Sequence, residues 1–144
     1  MVDRRIYTSH YKGLRRIPGT VRRVAISRGI PRWVSRELLV IEQRLAPTRA
    51  MLSLDRGDYD AAFHQLLAAL DPRDVWESLP RTAVLLCWEA PNVWCHRRLV
   101  AEWLERGLGV TVPEWGLPRT DSIPYRQLPA RAKGESRPTQ GRLF

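Results

Sequence analysis

From Thr82 to Trp88 the chain reads Thr-Ala-Val-Leu-Leu-Cys-Trp, apolar at every position after the first. A strand alternates its side chains between two faces, so continuous apolarity means both faces are covered. This run therefore predicts an inner strand of a parallel sheet. Asp58 to Leu70 has a different rhythm. Tyr59, Ala62, Phe63, Leu66, Leu67 and Leu70 recur at steps of three and four, which makes one apolar stripe of a helix. Asp58 is placed to cap its start. Asp71-Pro72 ends it and opens a further turn through Val75 and Trp76, since proline suits a first helical position. A second long helix is expected from about Cys95 to Arg106, with Leu99, Val100, Trp103 and Leu104 turned inward. Glu102 and Arg106 can pair one turn apart on it, and Gly107 or Gly109 ends it.

Shorter signals complete the pattern. Arg5-Ile6-Tyr7-Thr8 and Val21 to Ser27 read as β-prone runs, with Lys12-Gly13 and Pro18-Gly19 marking loops between them. A helix is expected from about Pro31, with Trp33, Val34 and Leu38 as its apolar positions. A short helix is expected through Met51 and Leu52, and Gly109 to Val112 reads as a last strand. Strand–helix–strand alternation predicts an α/β fold: a single three-layer Rossmann-like domain with a mostly parallel sheet between helices. The domain is expected over residues 1–117. Residues 118–144 are rich in Pro, Arg, Ser and Gly without an apolar period, which predicts a flexible basic tail.

Composition adds little to this except through charge. The 144 residues suffice for one domain with a sizeable core, and six Trp favour close packing. No apolar stretch reaches the roughly 18 residues of a membrane span, and Met1-Val2-Asp3-Arg4-Arg5 is not followed by the apolar run of a signal peptide. A cytoplasmic protein without a membrane partner is expected, with Cys87 and Cys95 as free thiols. Net charge is +9, and it is unevenly spread. Residues 1–36 hold ten Lys/Arg and one Asp, residues 37–118 eight against twelve Asp/Glu, and residues 119–144 six against two. Basic ends around a mildly acidic middle point to a polyanion, DNA or a nucleotide above all. Within the first basic stretch, Lys12, Arg15, Arg16, Arg22, Arg23, Arg28, Arg32 and Arg36 alternate with Tyr11 and Trp33. Cations suit phosphates and aromatic rings suit unpaired bases.

The concentrated chemistry lies in Cys87-Trp88-Glu89 and Cys95-His96-Arg97. The first group ends the apolar strand and the second opens the helix that follows. Ligands of open α/β sheets bind outside the carboxyl ends of the strands, and a helix start adds unpaired N–H groups that favour an anion and lower a nearby thiol pKa. Three readings stand side by side. In one, Cys87 or Cys95 is a nucleophile, His96 or His10 its base, Glu89 a general acid/base, and Arg97, Arg28 and His10 hold an anion. In another, Cys87, Cys95 and His96 bind a metal, against which stand seven intervening residues and the adjacency of Cys95 and His96. In the third, the thiols pack as small apolar groups and Glu89 pairs with Arg97. The catalytic reading leads, and it needs neither cofactor nor metal. His64, lying between core positions, is expected to face outward or to serve the structure, and Trp88 and Trp94 flank the site.

These motifs resemble the domain-of-unknown-function family 488, in which an apolar strand ends in Cys-x-Glu and Cys-His-Arg opens the next helix. Here Leu85 to Glu89 and Cys95 to Leu104 carry that resemblance, and Ile6-Tyr7-Thr8-Ser9-His10 resembles the family's first strand. Many members have Asp-Val-Arg on the second strand, where this chain reads Ala25-Ile26-Ser27-Arg28 and keeps the arginine alone. The resemblance implies no particular activity. A second one concerns the last residues. Gln140-Gly141-Arg142-Leu143-Phe144 is similar to the Gln-x-x-Leu-Phe peptide by which bacterial repair proteins hook the DNA sliding clamp. In such a peptide Leu143 and Phe144 would fill an apolar pocket while the Gln140 amide bonds at its rim. Two functions follow as alternatives: an enzyme acting on a nucleotide or nucleic acid through the Cys/Glu/His/Arg pocket, or a non-catalytic adaptor that binds DNA or the sliding clamp.

Overall fold

The structure is a computed structural model that describes residues 3–90 and 93–116. Among these residues four strands form one all-parallel sheet: β1 (Arg5–His10), β2 (Arg22–Ala25), β3 (Leu39–Ile41) and β4 (Thr82–Cys87), in the order β1-β4-β2-β3. The apolar run is thus the inner strand β4, bonded to β1 along one edge and to β2 along the other. Its residues alternate as continuous apolarity requires. Ala83 and Leu85 face one core, Val84 and Leu86 face another, and all four are fully buried.

Three α-helices cover the first face: α1 (Arg56–Ala68), α2 (Pro72–Ser78) and α3 (His96–Leu108). Tyr59, Phe63 and Leu67 of α1, Val75 of α2, and Leu99, Val100, Ala101 and Leu104 of α3 pack there on Ile6, Val24 and Leu85. The second face is covered by a 3-10 segment, Tyr11–Arg16, and by the loop after β2, through Tyr11, Leu14, Ile17, Ile30 and Val34. The domain therefore has the three layers expected of the α/β fold, with 3-10 and loop structure forming the third. Connections that run from β1 to β2 to β3 cross this second face, whereas those returning to β4 and past β1 cross the helical face. Adjacent β1 and β4 thus send their connections to opposite sides. That is the switch point at which open α/β sheets leave a crevice.

Three expectations are corrected. The helix expected from Pro31 does not form. The segment runs through turns and a 3-10 turn at Arg36–Leu38 into β3, whose Leu39, Val40 and Ile41 pair with Arg23, Val24 and Ala25. The supposed apolar face is not one, because Trp33 is 60% and Leu38 73% exposed. Gly109 to Val112 is not a strand either. Val112 is buried, but its N–H donates to the Glu105 carboxylate at 2.8 Å instead of joining the ladder. The chain returns to the sheet only at Glu114, which bridges Thr8 of β1 in parallel. The α1 cap lies three residues before Asp58: the Asp55 carboxylate accepts from the Asp58 N–H at 2.9 Å. Asp55→Ala is expected to cost about 1 kcal/mol, read as a lowered midpoint in denaturant unfolding, with Asp58→Ala costing less.

Other features follow the sequence. Asp71 caps α2 with Pro72 in its first turn, and a 3-10 turn spans Ala50–Ser53. Gly109 ends α3 in the left-handed conformation, φ 69°, that favours glycine. Gly107 serves packing instead: a Cβ there would come within 2.8 Å of Pro72, so its absence lets α2 lie close on α3. Glu102, expected to pair with Arg106, forms an ion pair with Arg98 one turn earlier, at 3.5 Å. Among the described residues no helix is long and apolar enough to cross a membrane. Residues 118–144, and with them the expected tail and Gln140, Leu143 and Phe144, lie outside the described residues.

Candidate functional site: a buried Cys/His/Arg cluster beside a basic cleft

The strand end and the helix start meet as expected. Cys87 closes β4 and Cys95 is the N-cap of α3, so both face the switch point between β1 and β4. Cys87, Cys95, His96, Arg97 and Glu89 are all at most 4% exposed. The two sulfurs are bonded to each other, which corrects the expectation of free thiols. β4 and α3 face one another here, and the chain between them brings the two residues together across eight positions.

His96 is held by three contacts. Its Nε2 bonds the Ile26 carbonyl just beyond β2, its ring meets Phe63 of α1 edge-on at 5.3 Å, and Nδ1 lies 3.8 Å from Cys95 Sγ. A carbonyl only accepts, so Nε2 carries the proton and Nδ1 keeps its lone pair. Burial lowers the imidazole pKa to about 4, with the Arg97 charge acting in the same direction and the Ile26 hydrogen bond opposing. The ring is therefore neutral near pH 7. A ring nitrogen of His96 and the two sulfurs lie within 4.8 Å of one another and could hold a metal ion.

Arg97 points into the protein. Its Nη1 donates to Cys87 Sγ at 2.9 Å and to the Glu89 carbonyl at 2.7 Å, and Nη2 donates to the Ala90 carbonyl at 3.2 Å. Nε and Nη2 also form a two-pronged bond to the Glu114 carboxylate, at 3.1 and 2.8 Å. Glu114 Oε1 accepts from the Thr8 hydroxyl at 2.7 Å as well. Arg97 does hold an anion, but it is one belonging to this chain. Glu114 is a residue of the site that sequence reasoning missed. It follows a stretch without periodicity, and nothing local marks it as the partner of a residue 17 positions earlier.

The cluster abuts a surface cleft. A cleft of about 580 Å³ opens past the end of β1, lined by His10, Tyr11, Lys12, Gly13, Leu14, Arg15, Arg16 and Trp33. Lys12, Arg15, Arg16 and Trp33 are exposed. Tyr11 forms the floor, with its hydroxyl bonded to Ser27. Burial pushes its phenol up to about 12, so it stays neutral. Arg23 fixes the chain just after the cations: its guanidinium donates to the carbonyls of Pro18, Val21 and Ile17 at 2.7, 2.6 and 2.9 Å. His10 joins the two regions. Its pKa is lowered, first by burial and then by the Arg97 charge, with Lys12 and Arg16 adding to this and Glu114 opposing.

The remaining candidates are placed apart. Arg28 is exposed on the loop after β2, and His64 is exposed on α1. Trp88 donates to the Gly29 carbonyl at 3.1 Å and meets Tyr11 edge-on. Trp94 donates to Asp60 at 3.0 Å, meets Tyr59 edge-on and lies under the Arg56 guanidinium. Both indoles are committed to packing, which leaves Trp33 as the exposed ring beside the cations. Compared with protein-family models, with curated proteins and with solved structures, the chain matches none of them.

Proposed function

We propose that this chain binds a nucleotide or a single-stranded stretch of nucleic acid in the cleft beyond β1. The observation that carries the reading is the convergence of Lys12, Arg15 and Arg16 with the exposed Trp33 in one cleft. Phosphates need fixed cations and unpaired bases need an accessible aromatic face. The three cations share one 3-10 segment, Tyr11–Arg16, whose end Arg23 holds through the Leu14 and Ile17 carbonyls, so their backbone is fixed before any ligand arrives. The +9 charge of residues 1–36 extends the favourable field around them.

This reading favours binding over catalysis at the sulfurs. Cys87 is 0% and Cys95 3% exposed, so a substrate in the cleft meets His10 before either. The acid/base role expected of Glu89 and the recruitment expected of residues 140–144 are separate proposals that the cleft does not require.

The test is fluorescence anisotropy with a labelled single-stranded oligonucleotide across a salt series. Three phosphate contacts on a single strand give a log–log slope of about −2, hence roughly 20-fold weaker binding at 200 mM than at 50 mM salt. The triple variant Lys12→Ala, Arg15→Ala, Arg16→Ala is expected to flatten that slope by about 2. Trp33→Ala is expected to cost about 1–3 kcal/mol of affinity and leave the slope unchanged. Binding unaffected by the triple variant would refute the reading.

A further inference from the structure

We propose that, when the bond between Cys87 and Cys95 is reduced, the two sulfurs and His96 Nδ1 bind one zinc-class divalent cation in the buried cluster. The inference is independent of the cleft and does not rest on nucleic-acid binding.

Four observations carry it. The two sulfurs and a ring nitrogen of His96 already lie within 4.8 Å of one another, and all three residues are buried. His96 spends its N–H on the Ile26 carbonyl, which leaves Nδ1 as the donor facing Cys95 Sγ at 3.8 Å. Metal-bound imidazoles are usually oriented in this way, by a carbonyl or carboxylate on the far nitrogen. The Nδ1–sulfur separation is close to the roughly 3.5 Å edge between a nitrogen and a sulfur on one tetrahedral zinc. The Cα atoms of Cys87 and Cys95 stand 7.5 Å apart, beyond the roughly 4.4–6.8 Å usual across a disulfide. Two thiolates on one ion sit about 3.8 Å from each other, so parting the sulfurs to admit the ion requires no approach of the two backbones.

The adjacency of Cys95 and His96 is also resolved. In a regular strand neighbouring side chains diverge. Here Cys95 is extended, φ −157° and ψ 144°, and His96 is the first helical residue. The backbone turns between them, and both donors reach the same point. Arg97 Nη1, 2.9 Å from Cys87 Sγ, favours the thiolate that a metal needs. Its own charge is matched by Glu114. Among the described residues the cluster has three donors, so one tetrahedral position is left for water or an outside ligand, as in open rather than closed zinc sites.

The chemistry balances with a phosphine as the named reductant. Phosphine, water and the disulfide give phosphine oxide and two thiols. One divalent cation then displaces the two thiol protons to solvent and accepts the His96 lone pair.

The test uses the full chain and cobalt(II), whose colour reports its ligands. The phosphine-reduced chain is expected to take up one cobalt per molecule with a thiolate-to-metal charge-transfer band and the intense visible bands of tetrahedral coordination. Zinc added in one equivalent should bleach both. The unreduced chain should show neither. These arms need no variant and therefore no assumption about folding. Cys87→Ser and Cys95→Ser, each also reduced, should lose the charge-transfer intensity in part and weaken binding by roughly 100-fold or more, since losing even an outer-shell partner costs about 10–100-fold. Cobalt uptake without a charge-transfer band, equal uptake by the unreduced chain, or no uptake by the reduced chain would each overturn the inference.

Discussion

Arg97→Met is expected to destabilise the domain by about 3–5 kcal/mol, the range seen when one member of a buried ion pair is removed. Arg97 is 3% exposed and Glu114 11% at the side chain, and they meet at 2.8 Å. Methionine fills similar volume, so the loss is electrostatic rather than a cavity. Four acceptors would be abandoned at once: the Glu114 carboxylate, the carbonyls of Glu89 and Ala90, and Cys87 Sγ. Each buried acceptor left without a donor carries its own desolvation cost. Against a total stability of about 5–15 kcal/mol the loss is severe. It should lower Tm by roughly 10 °C or more, read by circular dichroism. Arg97→Lys is expected to recover little, because an ammonium cannot reproduce the two-pronged bond. Adding Glu114→Gln to Arg97→Met should restore part of the loss, since the orphaned charge is then gone. A single-variant loss under 1 kcal/mol would mean that water replaces the guanidinium at the site.

That same residue marks the boundary of what the sequence discloses. β4, α1 and α3 were legible because each is long and its apolar period unambiguous. Convergence of Cys87 with Cys95, His96 and Arg97 followed from strand end meeting helix start, a consequence of parallel topology. What escaped was set by single long-range contacts. β3 has three residues, too few for a period to show, and it forms because β2 offers it an open edge. The partner of Arg97 is Glu114, and the partner of His96 is the carbonyl of Ile26. A backbone carbonyl leaves no mark in a sequence, and a lone glutamate after an irregular stretch leaves almost none. Motif and helix start both make Arg97 look like an anion-binding group for outside ligands. Which anion it holds depended on where the chain went after Val112. The basic cleft was visible as composition but not as a place, because Trp33 joins Lys12, Arg15 and Arg16 only once the loop after β2 crosses the same face as the 3-10 segment.

The second large effect concerns acid. In the disulfide-bonded, metal-free chain, His96 is expected to make stability fall by about 3 kcal/mol as pH drops from 6.5 to 4. Its pKa is lowered from the ordinary 6.5 to about 4 by burial against α1 and β2. Above pH 6.5 folded and unfolded chains both carry a neutral ring, and the group adds its full stabilisation. Between 6.5 and 4 the unfolded chain binds a proton that the folded chain refuses, so unfolding is favoured as pH falls. Below about 4 both are protonated and the loss is complete. The size follows from 2.5 pKa units at about 1.4 kcal/mol each. His10 contributes in the same direction, since burial lowers its pKa too. Carboxylates also titrate near the lower end, so the measurement is a difference. Urea unfolding of the wild type and of His96→Gln, at pH 7.5 and at pH 4.5, isolates the group. Gln keeps a donor for the Ile26 carbonyl but cannot titrate. The variant's stability should depend on pH less steeply by about 2–3 kcal/mol across that interval. Parallel pH profiles would mean that His96 takes up its proton in the folded state. That would require Nδ1 to find an acceptor in the cluster, and the bonded sulfurs offer only a weak one.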